Sequence, residues 1–236
     1  MKAMILAAGL GTRLKPFTDK HPKALALVNK KTLLQRNIEY LAGFGITDVI
    51  VNVHHFAAQI KGEINNKNGF GSNVEISEEV DVLETGGGLA QASWFLDKEP
   101  FVLMNADVLT DMDISSIVHQ HLLNKPLATL AVTNRKTSRY FLFDEFDNLC
   151  GWKNEKTGEQ KMSADIKVAS QKAFSGIHVI SPEIFSLIKQ KGKFSMVEVY
   201  LDLAKTENIM AFDHSNSKFI DVGKPESIVK AEEMFS

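Results

Sequence analysis

The chain has 236 residues, 44% of them hydrophobic and 24% charged, values ordinary for a folded α/β domain long enough to bury a sizeable core. The formal net charge of -2 gives no electrostatic reason to expect a nucleic-acid partner. A single cysteine, Cys150, excludes an internal disulfide and a cysteine-rich zinc site, and it fits a reducing, cytoplasmic setting. The apolar start from Met1 to Ala8 is interrupted by Gly9, Gly11 and Arg13 too early for a secretory signal, and no apolar run is long enough to span a membrane.

Residues 3–7 read as a buried strand. Leu33–Gly43 places Leu33, Leu34, Ile38 and Leu41 at helical spacing, with Gly45 past its C-terminal side. Asp48–Val53 is a second strand, 56–64 a short helix and 74–77 a third strand. Residues 86–96 open on three glycines and continue as a helix, and 101–104 form a fourth, buried strand. Asp113 is placed to cap a helix over 114–123, while Asp111 stays unassigned. Residues 127–133, 140–146 and 174–180 are strand-like, and the polar, Lys-rich stretch 152–172 reads as a loop or hairpin over the sheet. An amphipathic helix over 195–205 carries Met196, Val199, Tyr200 and Leu203 on one side, and short strands at 209–212 and 219–220 precede a closing helix over 225–235. Strands alternating with helices imply βαβ units and a parallel, doubly wound sheet. Nothing marks a linker or repeat, so residues 1–236 are read as one domain.

The first strand runs straight into Leu6-Ala7-Ala8-Gly9-Leu10-Gly11-Thr12-Arg13-Leu14. Small residues let backbone N–H groups approach a ligand, and consecutive N–H groups make an anion nest. A dinucleotide-binding loop needs a third glycine where Leu14 stands, and a P-loop needs Gly-Lys-Ser/Thr where Leu14-Lys15 stands, so neither reading holds. Ten residues on, Pro16 and Pro22 restrict the segment that carries Lys23, which predicts an ammonium held at a fixed place. A fixed ammonium beside a phosphate neutralises charge that builds up during attack.

The paired elements, L-A-A-G-x-G-T-R-L followed by Pro22-Lys23, resemble the signature of the sugar-1-phosphate nucleotidyltransferases. Leu83-Glu84-Thr85-Gly86-Gly87-Gly88, Asn105-Ala106-Asp107-Val108, Phe174-Ser175-Gly176-Ile177 and Ile220-Asp221-Val222-Gly223 fall where that family has its later motifs. The chain resembles in pattern the small single-domain subgroup with N-acetylmuramate-1-phosphate uridylyltransferase, and is similar to mannose- and heptose-1-phosphate guanylyltransferases. The resemblance implies a Rossmann-like GT-A-type fold with a mostly parallel mixed sheet. It also implies in-line attack of a sugar 1-phosphate on the α-phosphorus of an NTP. On that reading Leu6, Ala7, Ala8, Gly9, Gly11, Thr12, Thr85, Gly86 and Asn105 bind the nucleotide, and Arg13 and Lys23 meet its phosphates.

Asp107 sits just past a buried strand, where carboxyl ends of α/β strands face the ligand crevice, and Asp221 follows a short strand. With phosphate oxygens the two would make a hard oxygen site suited to Mg²⁺. The subgroup commonly has Gly-Asp where this chain has Ala106-Asp107. The resemblance assigns the base edge to Glu79, although Glu78 is adjacent and open to the same role. A carboxylate only accepts hydrogen bonds, which favours UTP, dTTP or GTP over CTP. For the sugar, the resemblance points to Ser175 and Gly176, and more loosely to Trp152 and Asn154 in a stretch that has Thr157 where the family has Pro. Trp152 either stacks on a sugar or packs in the core. Two alternatives share the loop: a cytidylyltransferase acting on phosphocholine or another phospho-alcohol, and a non-catalytic nucleotide-sugar sensor.

Overall fold

The computed structural model describes residues 1–166 and 169–235. Strand β1 (Ala3–Leu6) is followed by the two-residue strands β2 (Leu27–Val28) and β3 (Lys31–Thr32), which pair with each other. Then come α1 (Leu33–Gly43), β4 (Asp48–Val53), α2 (Ala57–Asn66), β5 (Asn73–Glu78), α3 (Glu84–Gln91), α4 (Ser93–Leu96), β6 (Phe101–Asn105), β7 (Val108–Thr110) and α5 (Ile114–Asn124). The second half holds β8 (Ala128–Thr133), β9 (Arg139–Phe143), β10 (Leu149–Asn154), β11 (Gln160–Met162), β12 (Ser170–Ile180), α6 (Ile184–Leu187), α7 (Met196–Leu203), β13 (Ile209–Asp213), β14 (Phe219–Asp221) and α8 (Pro225–Met234).

The centre of the large sheet is parallel, in the order β6-β1-β4-β5. Strand β12 then joins β6 antiparallel and carries the sheet on to β9, β10 and β11, while β8 pairs along the side of β12 opposite β6 and β13 pairs with β8. The sheet is thus mixed around a parallel core. The central strands read as unbroken apolar runs because both of their faces are covered. Ala3, Ile5, Val49, Val51, Val102 and Met104 pack beneath Leu34, Ile38, Ile60 and Ile117 from α1, α2 and α5. Met4, Ile50, Phe101 and Leu103 point the other way, toward Leu89, Leu96, Val199 and Tyr200. Thr32, Asp113 and Ser195 cap α1, α5 and α7 with side-chain oxygens, the placement expected of Asp113.

Two expectations change in detail. The helix expected over 86–96 begins at Glu84 and is divided at Ala92 into α3 and α4, both of which bury apolar residues in the same cluster. The polar stretch 152–172 extends the sheet edge as the β10–β11 hairpin rather than lying over it; Lys167 and Val168 fall outside the described residues. Gln160, Lys161 and Met162 on that edge are all exposed, a polar, charged edge that discourages further pairing.

Three histidines are buried among these layers and face hydroxyls: His121 lies 3.0 Å from Thr129 Oγ1 and from Ser181 Oγ, His178 2.6 Å from the Tyr200 hydroxyl, and His214 2.7 Å from Ser175 Oγ. Loss of hydration pushes their imidazoles down, to about 4, 3 and 4 respectively. In the unfolded chain each takes a proton near pH 6.5, so below that value the unfolded state binds protons that the native state refuses. Native stability should therefore be flat above about pH 6.5 and fall as the pH drops from there toward about 4. The melting temperature measured from pH 7.5 to 4.5 is expected to fall steeply in the lower half of that range; a flat profile would contradict the buried neutral rings.

Candidate active site

The parallel core sets Leu6, at the end of β1, beside Asn52 of β4 and Asn105 of β6. At these carboxyl ends opens a cavity of about 450 Å³. Its wall includes Leu6, Ala7, Ala8, Gly9, Gly11, Thr12, Arg13, Lys23, Glu79, Thr85, Asn105 and Asp107, residues spread over a hundred positions of sequence. Gly11 holds φ at +62°, and a Cβ there would stand 2.9 Å from Thr18 Cγ2 and 3.0 Å from Lys23 Cβ. The loop after β1 therefore folds directly onto the aliphatic stem of Lys23, which fixes that side chain as the two prolines suggested.

Lys23 is only 13% exposed at its side chain, and its ammonium donates to Asp107 Oδ2. Asp221 Oδ1 lies 3.9 Å from the same nitrogen, and Asp221 Oδ2 lies 4.0 Å from Arg13 Nη2. The two carboxylates meet because β14 pairs with β7, Asp221 opposite Val108, and because the Val222 N–H donates to the Asp107 carbonyl at 2.8 Å. Desolvation, then the nearby Asp107 charge, raises the Asp221 carboxyl above the usual carboxylate range, against the pull of Lys23, Arg13 and Arg135.

Two facing carboxylates that already hold a cation between them suit a hard divalent ion. Gly223 keeps the place clear, since a Cβ there would stand 2.7 Å from Asp221 Oδ1 and 3.1 Å from Arg13 Nη2. No set of three His, Cys, Asp or Glu side chains is arranged to hold a metal among the described residues, so an ion held by Asp107 and Asp221 would need ligand oxygens or water to complete its coordination.

Glu79, 3% exposed, faces the cavity, whereas Glu78 points outward and pairs with Lys61. Thr85 Oγ1 accepts the Met196 N–H at 2.9 Å, tying the start of α3 to that of α7. Gly86 is part of the glycine motif but not of the cavity wall. Its N–H donates to the Phe194 carbonyl at 2.9 Å, and a Cβ there would overlap the Phe194 ring at 2.4 Å. The expectation that its amide meets the nucleotide is corrected accordingly: the glycine provides clearance for Phe194, and its donor is already used.

The residues expected on the sugar side do not line the cavity. Ser175 is buried with its hydroxyl at His214 Nε2. Gly176, at φ +73°, makes room for Asn105, whose Nδ2 would be 2.4 Å from a Cβ there. Trp152 packs against the second apolar cluster, the packing half of its two readings, and Lys161 Nζ lies 5.9 Å from its ring. Asn154 Oδ1 accepts the Lys156 N–H at 3.0 Å, closing the hairpin turn. Gly176 thus lies directly behind the cavity residue Asn105, whereas Ser175 meets His214, which is outside the cavity wall. His54 faces the Glu79 carbonyl at 3.0 Å, and Asp111 Oδ1 accepts the Lys218 N–H at 2.7 Å, so both have local structural partners.

Sequence reasoning missed Asn52, Ala24, Val82 and Ser195 in the wall, and named Glu84 and Gly223 only as members of wider motifs without a role. Asn52 carried a readable signal, a polar residue near the carboxyl end of the otherwise apolar run Val49-Ile50-Val51. Arg135 carried none. It follows β8, donates to the Phe174 carbonyl at 2.7 Å and lies 4.7 Å over the Phe219 ring, close enough to Asp221 to favour its ionised form.

The sequence pattern of the nucleotidyl transferase family matches residues 2–235. N-acetylmuramate alpha-1-phosphate uridylyltransferase of Caulobacter vibrioides is 30% identical over 98% of this chain and 95% of its own length. Mannose-1-phosphate guanyltransferase of Schizosaccharomyces pombe is 28% identical over 95% of this chain, which spans only 61% of that longer protein. Among solved structures, HddC from Yersinia pseudotuberculosis, crystallised with GMP-PN, superimposes with a TM-score of 0.78 at 26% identity, covering 100% of this chain and 99% of its own. A putative glucose-1-phosphate thymidylyltransferase from Bacillus anthracis shares the fold, with a TM-score of 0.82 at 18% identity over 99% of this chain and 94% of its own. The fold is therefore the Rossmann-like, GT-A-type nucleotidyltransferase fold, a mixed sheet with flanking helices.

Proposed function

This chain belongs to the nucleotidyl transferase family, and from that premise we propose that it transfers a nucleotidyl group from an NTP to a sugar 1-phosphate, forming an NDP-sugar and pyrophosphate. The observation that carries the reading is the meeting of Lys23, Arg13, Asp107 and Asp221 at one end of a cavity whose other wall is the small-residue loop and Glu79. The NTP lies along Leu6 to Arg13, its base toward Glu79 and Thr85. A buried carboxylate there accepts the N3–H of uracil or the N1–H and amino group of guanine, so UTP or GTP is the favoured donor. Lys23 and Arg13 hold positive charge against the α-phosphate and the departing pyrophosphate.

An oxygen of the sugar phosphate bonds to the α-phosphorus as the bond from that phosphorus to the α–β bridging oxygen breaks, and the electron pair leaves with pyrophosphate. The attacking oxygen is already ionised, so no side chain has to remove a proton, and positioning with electrostatics supplies the acceleration. Asp107 and Asp221 would hold Mg²⁺, which when bound neutralises phosphate charge. Among the described residues no helix is long and apolar enough to cross a membrane, and the use of a single cysteine, buried and free, fits a reducing, cytoplasmic place of reaction.

Pyrophosphate release measured with UTP, GTP, dTTP and CTP against a panel of sugar 1-phosphates and phosphocholine tests the proposal. UTP or GTP with a sugar 1-phosphate is expected to turn over. Turnover confined to CTP with phosphocholine would replace it with the cytidylyl reading, and tight nucleotide binding without turnover would leave a sensor.

A further inference from the structure

Asn52 stands between two parts of the cavity that come from distant sequence. Its Oδ1 accepts the Ala7 N–H at 2.7 Å, and its Nδ2 donates to Glu79 Oε1 at 2.6 Å. The other carboxylate oxygen of Glu79 accepts the Leu83 N–H at 3.0 Å, just before α3. Asn52 and Glu79 are 2% and 3% exposed, and both line the cavity. Behind them Gly88 leaves no slack: a Cβ there would stand 2.6 Å from Glu79 Oε1 and 2.7 Å from Asn52 Nδ2. Each bond is thus directional and shielded from water, where a lost partner is costly.

We infer that Asn52 is a positioning residue for the nucleotide: it locks the amide of the small-residue loop to the buried carboxylate on the base side, so that loop and base wall keep a fixed separation. The inference rests on the reading that a nucleotide occupies this cavity. Glu79 then has a role beyond any contact with the base, because its charge fixes which way the Asn52 amide points and hence leaves Oδ1 toward Ala7. The polarity of the relay explains why an amide stands at 52 and a carboxylate at 79, since the backbone donors at both ends, Ala7 and Leu83, need acceptors and the middle bond needs one donor.

That polarity can be reversed. Asn52→Asp alone keeps the acceptor for Ala7 but sets two carboxylates face to face in a buried place. Combining it with Glu79→Gln supplies the missing donor from the other side: the glutamine amide donates to the new carboxylate, its carbonyl oxygen still accepts from Leu83, and the buried negative charge is conserved. Affinity for UTP and for GTP with Mg²⁺ is measured by calorimetry, below the melting temperature of each variant. Asn52→Asp is expected to weaken the better-bound nucleotide at least about tenfold, and the double variant to bind at least about tenfold more tightly than Glu79→Gln alone, a comparison in which the carboxylate facing the base is missing from both arms. Should Asn52→Asp not fold, Asn52→Ala is expected to show the same tenfold loss. A folded Asn52→Asp or Asn52→Ala variant with unchanged affinity would overturn the inference, as would a double variant that regains its melting temperature but binds no better than Glu79→Gln alone. Wild-type protein that binds nucleotide but transfers nothing would defeat the transferase reading and leave the relay standing; wild-type protein that binds neither nucleotide would defeat both.

Discussion

Lys23→Ala is expected to lower kcat by about 10²–10³-fold or more, the range found when one preorganised electrostatic contact to developing charge is removed. Lys23 is no loose surface lysine. Its stem is pressed against the Gly11 turn, and its ammonium lies between Asp107 and Asp221 at the head of the cavity. Removing it should leave the apolar layers intact, because the residue belongs to none of the three apolar clusters. The melting temperature is therefore expected to move by only a few degrees while turnover collapses. Lys23→Arg is expected to recover only a small part of the rate, since a planar guanidinium cannot occupy the compact position between the two carboxylates. Steady-state pyrophosphate release with the preferred pair checks this, and a near-normal rate in Lys23→Ala would reject the site as drawn.

A comparable loss, about 10²–10³-fold in kcat, is expected from Asp107→Asn, which keeps the shape of the side chain and removes its charge. The Asp107 carbonyl would still accept the Val222 N–H, so the loop carrying Asp221 stays in place and the effect can be assigned to the carboxylate. The distinguishing readout is the metal response. Wild-type protein with UTP or GTP should gain melting temperature as Mg²⁺ is added, because a ligand that binds only the native state stabilises it by mass action. Asp107→Asn should lose most of that gain. A variant that keeps both the Mg²⁺-dependent gain and the rate would show that Asp107 is not the cation's ligand and would return it to its other ordinary fate, a turn residue.

Much of the fold could be read from local pattern because its signals are local. Unbroken apolar runs such as Val49-Ile50-Val51 mark strands covered on both faces, and spacing such as Leu34, Ile38 and Leu41 marks a helix face. The caps at Thr32, Asp113 and Ser195 are likewise written within three residues of the bonds they make. What periodicity could not supply was how the strands after residue 127 join the sheet: β12 pairs with β6, β8 and β9 at once, a branching decided by long-range packing.

The same division runs through the site. The sequence by itself determined the small-residue loop, the held lysine and the two aspartates, because a backbone that must approach a ligand demands glycine and alanine, and phosphate chemistry demands fixed charge of both signs. Only the tertiary structure decided the neighbours. It moved Gly86 from ligand contact to clearance for Phe194, turned Ser175 toward His214, and chose Glu79 over Glu78 for the cavity. It also revealed Asn52 and Arg135, whose partners lie 27 to 45 and 39 residues away in sequence. The reason is physical: glycine and charge requirements are set by the ligand and the backbone and so leave a local mark, whereas a side-chain hydrogen bond to a segment distant in sequence exists only once the fold has brought the two within about 3 Å of each other.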